Sequence, residues 1–168
     1  MDIRIAGVVD DSIVDGPGFR MAVFTQGCRH ACPGCHNPES HDFAGGHVES
    51  VASLIARMAA NPLLDGLTLS GGDPFEQCAP CRALAEGARA LGLTVWAYTG
   101  YTWDQLMARD DLRALAEVCD VVVDGRFELS ERTLELRFRG SRNQHLIDVQ
   151  RSLAAGGAVE YELDGVRP

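Results

Sequence analysis

Long apolar runs are missing from this sequence. No stretch of its 168 residues approaches the roughly 18 consecutive apolar positions that a membrane-spanning helix requires. Met1-Asp2-Ile3-Arg4 is not a basic segment leading into an apolar one, the form of a secretory signal. Positive charge is also scarce: 15 Lys+Arg stand against 24 Asp+Glu, a formal net charge of -9. A surface that follows a nucleic-acid backbone needs clustered cations to displace phosphate counterions, so nucleic acid is excluded as a partner on this balance. Internal repeats, low-complexity tracts and Pro/Ser-rich linkers are absent too, and nothing marks a domain boundary. The expectation is a single cytoplasmic domain over residues 1–168 with no membrane association, its 46% hydrophobic content sufficient for one core.

What is present is a succession of short apolar runs at Ile3 to Val9, Met21 to Thr25, Leu67 to Ser70, Thr94 to Tyr98 and Val121 to Asp124. Most are continuous rather than alternating, the pattern of strands buried on both faces in a parallel sheet. Between them Val48, Val51, Leu54, Ile55 and Met58 recur at helical spacing until Asn61-Pro62 closes the segment. Cys78 to Leu91 reads as a second helix, with Pro80 tolerable in its first turn and Gly92 just past its end. Thr102-Trp103-Asp104-Gln105 fits a capping box that opens a third. A further strand is expected to continue through Phe138. Alternating strands and helices imply an α/β fold. Gln26-Gly27-Cys28, Gly71-Gly72-Asp73-Pro74, Thr99-Gly100-Tyr101 and Gly125-Arg126 each follow a strand. The carboxyl ends of parallel strands share one face, where ligands bind, so these four segments are expected to converge.

Six cysteines without an export signal read as metal ligands or free thiols rather than as a disulfide frame. Cys28-x3-Cys32-x2-Cys35 places three thiols in a short loop with Pro33 and Gly34, a composition that lets backbone wrap a compact inorganic core. Three cysteines on a four-iron cubane leave one iron open to a substrate. A zinc module using Cys28, Cys32, Cys35 and either His36 or His41 has acceptable spacing as well, although zinc leaves the glycine-rich turn at Gly71-Gly72 without a purpose. For Cys78-x2-Cys81 and Cys119, a second metal or redox site stands against burial as small apolar side chains; the apolar pattern around them favours burial. Trp96 and Trp103 suit either the core or a partner surface.

Gly27-Cys28-Arg29-His30-Ala31-Cys32-Pro33-Gly34-Cys35 resembles the cluster loop of the radical S-adenosylmethionine (radical SAM) superfamily. Val14-Asp15-Gly16-Pro17-Gly18-Phe19-Arg20 is similar to the segment that glycyl-radical-enzyme activases carry before that loop. Ser70-Gly71-Gly72-Asp73-Pro74, Ala97-Tyr98-Thr99-Gly100-Tyr101, Val123-Asp124-Gly125-Arg126-Phe127 and Phe138-Arg139-Gly140-Ser141-Arg142-Asn143-Gln144 resemble, in order, the activases of anaerobic ribonucleoside-triphosphate reductases. The likeness runs from about Asp10 to Asp148.

The resemblance implies an incomplete (β/α) barrel with a mostly parallel sheet, open along one side so that a glycine-bearing loop can enter. It implies a 4Fe-4S cluster held by Cys28, Cys32 and Cys35 in a cluster loop over residues 26–43, with the amino and carboxylate groups of S-adenosylmethionine on the open iron. Reductive cleavage would give a 5′-deoxyadenosyl radical that takes hydrogen from a glycine Cα of the reductase, with a reduced flavodoxin or similar protein as electron donor. The protein then positions the cofactor and excludes water and oxygen. By the same resemblance Gly71 and Gly72 bring main-chain carbonyls to the cofactor's ammonium group, Asp73 either adds an acceptor there or is plain turn chemistry, and Gly34, Cys35 and His36 line the adenosyl end. Many relatives have an aromatic residue where this chain has His36, which is therefore either a cofactor contact or a polar loop residue. Tyr98, Thr99 and Gly100 suit a ribose contact or an ordinary turn, and Tyr101 the turn. Arg139, Ser141, Asn143 and Gln144 are expected near the active face. Activases of other glycyl radical enzymes share the Asp-Gly-Pro-Gly segment, and small-molecule radical enzymes such as the deazaguanine synthases share only the cluster loop and glycine turn; the late Arg-Gly-Ser-x-Asn-Gln signature points away from both.

Overall fold

A computed structural model describes residues 1–163. Seven strands, β1 (Asp2–Ser12), β2 (Arg20–Thr25), β3 (His47–Ser50), β4 (Gly66–Gly71), β5 (Thr94–Tyr98), β6 (Val121–Asp124) and β7 (His145–Asp148), form one sheet in the order β3-β1-β2-β4-β5-β6-β7. The four central strands β2, β4, β5 and β6 are parallel. Antiparallel strands flank them, β1 and β3 on one side and β7 on the other. The fold is α/β with an open sheet, since β3 and β7 end the order without pairing to each other. No helix among the described residues is long and apolar enough to cross a membrane.

The parallel centre follows from side chains that suit burial on both faces. All four residues of β6, Val121 to Asp124, are buried, and on β5 the successive positions Val95 and Trp96 face opposite clusters. One face packs against α1 (Val51–Ala60), α2 (Cys78–Ala90), α3 (Trp103–Met107) and α4 (Asp110–Ala116), whose Leu54, Met58, Leu84, Leu106 and Leu112 join the main core. The other face carries a smaller cluster of Trp96, Val121, Val123 and Leu146, covered by Tyr98 and Phe138. A last helix, α5 (Val149–Ala155), follows β7 directly, capped by Asp148 accepting from the Arg151 N–H.

Local signals set most boundaries. Thr102 and Gln105 form the reciprocal capping box that opens α3, and Gly92 closes α2 at φ 80°. Helix α1 begins later than its apolar spacing suggests. The Ser50 hydroxyl accepts from the Ser53 N–H at 3.0 Å, so Val48 lies instead on edge strand β3, 53% exposed. Nor does a strand run through Phe138, whose φ of 61° turns the chain; pairing with β6 begins only at His145.

The segment between β1 and β2 is organised from within. Arg20 is fully buried and donates from Nε to Thr68 Oγ1 (2.8 Å), from Nη1 to Thr94 Oγ1 (2.9 Å) and from Nη2 to the Leu67 carbonyl (2.7 Å). The Thr68 hydroxyl in turn donates to the Asp15 carbonyl at 2.7 Å. Val14 and Asp15 are thereby held over the sheet, at the rim of the cavity described next.

Candidate active site

The four strand-end segments do converge. Cys28 after β2, Gly71 and Gly72 after β4, Thr99 and Gly100 after β5, and Gly125 after β6 all line one cavity of about 610 Å³. Cys32, Cys35 and His36 line it as well, and its size suits a small organic ligand.

The loop that carries the three cysteines is fixed at both ends. Gln26 donates to the carbonyls of Glu39 (3.1 Å) and Asp42 (2.6 Å), while its own carbonyl accepts from Gln77 at 2.9 Å. The Gly27 N–H donates to the Ser40 carbonyl at 2.8 Å and the Cys28 N–H to that of His41 at 3.2 Å. Left-handed backbone at Ala31 (φ 49°) and Gly34 (φ 74°) then turns the chain between the cysteines. All six cysteines are free thiols. Burial pushes the Cys28 thiol up to about 11, against hydrogen bonds from the backbone N–H groups of His30 and Ala31 that favour its thiolate. Burial raises Cys32 too, and the Asn37 N–H donates to the Cys35 sulfur at 3.4 Å.

These residues fit an iron–sulfur core. A backbone donor, the Asn37 N–H, is already directed at the Cys35 sulfur, the kind of surrounding that tunes a cluster. No three His, Cys, Asp or Glu side chains among the described residues gather closely enough to hold a single metal ion. A tetrahedral zinc ion needs its ligands about 2.3 Å or less from one centre, whereas a polynuclear core takes one thiolate per iron.

The glycine turn after β4 packs backbone on backbone. A Cβ at Gly71 (φ 96°) would overlap the main chain of Phe24 and Thr25, and one at Gly72 would overlap the Gly27 carbonyl and approach the Ser40 carbonyl to 2.9 Å. Asp73 lies beneath this turn, fully buried and off the cavity wall. One carboxylate oxygen accepts from the Phe75 N–H (2.9 Å). The other meets His30 Nε2 (2.9 Å), the Thr99 hydroxyl (2.9 Å) and the Gly100 N–H (3.0 Å). Of the two readings of Asp73, the turn chemistry is the one visible in these bonds. Gly34 also stands away from the cavity, against Leu129.

His36 is exposed but packs on Phe127, ring centroids 5.0 Å apart and planes tilted by 46°. Phe127 lines the cavity and supplies an aromatic surface beside the last cysteine. The sequence reading quoted Phe127 within a motif without giving it a role, and nothing local marks it, because the contact joins segments far apart. The late polar signature anchors the loop above β6. Gln144 Oε1 accepts from the N–H groups of Gly140 (2.9 Å) and Ser141 (3.2 Å), and its Nε2 donates to the Gly125 carbonyl (2.9 Å). Ser141 Oγ accepts from the Glu128 N–H (3.1 Å) and Asn143 Nδ2 donates to the Arg126 carbonyl (2.8 Å). Arg139 reaches the cavity itself, making one long bond to the Gln144 carbonyl (3.4 Å) and leaving Nε buried without a partner.

Tyr98 lines the cavity, its hydroxyl pKa raised by burial. Tyr101 faces away and donates to Glu76 Oε1 at 2.8 Å, so it belongs to the turn. Cys81 and Cys119 are fully buried in the core with Trp103, and the Cys78 thiol donates to the Phe75 carbonyl at 3.0 Å, which is packing rather than a second metal site. Trp96 is core as well.

A family model described as a 4Fe-4S single cluster domain matches residues 14–147. Among curated proteins, the anaerobic ribonucleoside-triphosphate reductase-activating protein of Haemophilus influenzae is 34% identical over 142 residues, covering 79% of this chain and 89% of its own length. Those of Vibrio cholerae and Escherichia coli are 35% and 34% identical, each over 79% of this chain and covering 89% and 90% of their own. Among solved structures, QueE from Escherichia coli aligns with 61% of this chain and 54% of its own at 14% identity and a TM-score of 0.49.

Proposed function

The chain belongs to the family of anaerobic ribonucleoside-triphosphate reductase-activating proteins, and from that premise we propose that it installs a glycyl radical on such a reductase. The family model gives it a 4Fe-4S single cluster domain, and on this reading it is a radical SAM enzyme. The observation that carries the reading is the opening of Cys28, Cys32 and Cys35 onto the same cavity as the Gly71-Gly72 turn, at the carboxyl ends of four parallel strands.

Cys28, Cys32 and Cys35 would each hold one iron, leaving the fourth for S-adenosylmethionine. When bound, the cluster supplies the electron that breaks the cofactor's bond between sulfur and the adenosyl 5′ carbon. Gly71 and Gly72 would present main-chain carbonyls to the ammonium group, a role supported by a turn with no room for side chains. Asp73 would act on this turn from beneath. Cys35 and His36 would line the adenosyl end, with Gly34 shaping the loop behind them and Phe127 adding the aromatic surface that His36 does not supply.

The reductase would approach over the exposed apolar side chains at the cavity rim, Val14 (72% exposed) and Leu134 (91% exposed). A reduced flavodoxin or similar protein would donate the electron. A reducing, cytoplasmic setting belongs to the same proposal, supported by six free thiols. So does a single catalytic domain over residues 1–168, of which 164–168 lie outside the described residues.

The test is anaerobic reconstitution followed by iron and sulfide analysis, then assay for 5′-deoxyadenosine with dithionite and S-adenosylmethionine, with and without the reductase. Cofactor cleavage and a glycyl signal by electron spin resonance in the reductase are expected. Cys32→Ala should lose both the cluster and cleavage; cleavage that persists in this variant refutes the ligand assignment.

A further inference from the structure

We propose that the groove between Cys32-Pro33 and the loop over residues 126–130 is the port through which the electron arrives: a docking site for an acidic one-electron carrier protein that stays open while the reductase occupies the cavity mouth. The inference rests on the cluster assignment made above.

Cys32 opens in two directions. It lines the cavity whose rim carries Val14 and Leu134, and it also lines a separate shallow groove of about 390 Å³ with Pro33, Arg126, Phe127, Glu128 and Leu129. Phe127 belongs to both as well, so Cys32 and Phe127 are part of the wall that divides groove from cavity. Leu129, 54% exposed, lies so close over Gly34 that a Cβ there would come within 3.0 Å of it. The groove is thus built on the cluster loop itself. At the moment of cleavage the cavity would hold S-adenosylmethionine and the glycine-bearing segment, with the reductase seated over Val14 and Leu134. Electron transfer falls off steeply with distance, so a carrier has to reach the cluster from another face, and the groove offers it Cys32.

Charge around the groove selects the carrier. The chain as a whole stands at -9, yet residues 126–142 carry five arginines against three glutamates. Arg142 is paired with Glu135 at 3.0 Å, whereas Arg126, Arg132, Arg137 and Arg139 form no ion pair among the described residues. Arg126 is exposed on the groove wall, beside the apolar surface of Pro33, Phe127 and Leu129. An apolar strip edged by an unpaired cation suits a protein whose prosthetic group emerges among carboxylates. Opposite charge at a rim speeds the encounter and orients the partner, and transient electron-transfer complexes use small contacts. Glu128 is the one carboxylate on this wall and opposes the attraction. The step is a single transfer: the reduced carrier loses one electron and the cluster gains it, with no bond made or broken and no proton moved.

Flavodoxin is the probe, mixed without oxygen with the cluster-loaded protein. Calorimetry reads its affinity, and the loss of visible cluster absorbance on rapid mixing reads electron transfer from its reduced form. Arg126→Glu should weaken binding and slow reduction by flavodoxin by about tenfold, while reduction by dithionite stays unchanged. Glu128→Gln should move both quantities the other way, and added salt should weaken flavodoxin binding to the unmodified protein. Saturating reductase should leave the flavodoxin affinity as it was, and Val14→Asp should weaken the reductase without weakening flavodoxin. If Arg126→Glu fails to fold, Glu128→Gln and the salt dependence decide. An unchanged affinity in Arg126→Glu, no tightening in Glu128→Gln, binding indifferent to salt, or a reductase that displaces flavodoxin overturns the inference, as does a flavodoxin that neither binds nor reduces the loaded protein. An unmodified protein that takes up no four-iron cluster would instead overturn the functional reading on which it rests.

Discussion

Replacing Gly72 by Ala tests whether the glycine turn and the cluster loop are locked together through their backbones. The added methyl would overlap the Gly27 carbonyl oxygen and sit 2.9 Å from that of Ser40. Both oxygens are already in use: Asp73 N–H donates to Gly27 at 2.9 Å, and Gly27 N–H to Ser40 at 2.8 Å. Neither carbonyl can retreat without breaking its bond. Overpacking of this kind costs roughly 1–3 kcal/mol, and each lost hydrogen bond about 1 kcal/mol. A destabilisation of about 3–5 kcal/mol is therefore expected from one methyl group, a large share of the roughly 5–15 kcal/mol typical of a domain. Urea unfolding of the anaerobic, metal-free protein measures it, provided the slope with denaturant is unchanged. Gly7→Ala is the control, since a Cβ there meets nothing within 4 Å and should change stability by no more than about 0.5 kcal/mol. Equal unfolding midpoints for the two variants would refute the locked-backbone argument.

Arg20→Met should destabilise by roughly 3–5 kcal/mol, because it strands the buried acceptors Thr68 and Leu67 and removes the bond to Thr94. Arg20→Lys should recover less than half of that, as an ammonium cannot reproduce the planar fork; recovery to full stability in thermal unfolding would contradict it. The metal-free protein should also lose stability as pH rises above about 9. Burial raises the thiols of Cys28 and Cys78 to about 11 and those of Cys81 and Cys119 further still. The folded state keeps these protons where the unfolded chain has released them. The stabilisation is thus complete below the unfolded thiol value of 9 and is lost through the folded values, by up to about 1.4 kcal/mol per pH unit for each such group. Unfolding midpoints that stay flat between pH 8 and 10.5 would show that the thiols are not held this way.

The elements legible beforehand are those whose signal is local. Strands β5 and β6 and the capping box at Thr102 stand where pattern and propensity put them, because a run of buried apolar residues or a side chain three positions from its backbone partner needs no distant contact. Strands β3 and β7 went unread for the opposite reason. His47–Ser50 is polar and mostly exposed and becomes a strand only because β1 offers it a hydrogen-bonding edge; β7 depends on β6 in the same way. Val48 fitted a helical period but was claimed by that edge, and Phe138 was turned out of a strand by a left-handed φ that no residue type announced.

At the site the same division holds. Cysteine spacing and the glycines at strand ends were enough to nominate Cys28, Cys32 and Cys35 as candidate ligands and to place four loops on one face, since three thiols within eight residues and a shared strand direction are properties of the chain itself. The role of Asp73 was left between two chemistries because its partners His30, Thr99 and Gly100 lie 43, 26 and 27 residues away. The aromatic ring beside position 36 is Phe127, packed on His36 from the loop after β6. Identity and order of chemical groups are written in one dimension. Which carboxylate is buried, which N–H meets sulfur and which glycine has no room for a methyl depend on segments that meet only when the sheet forms, and only the tertiary structure decided them.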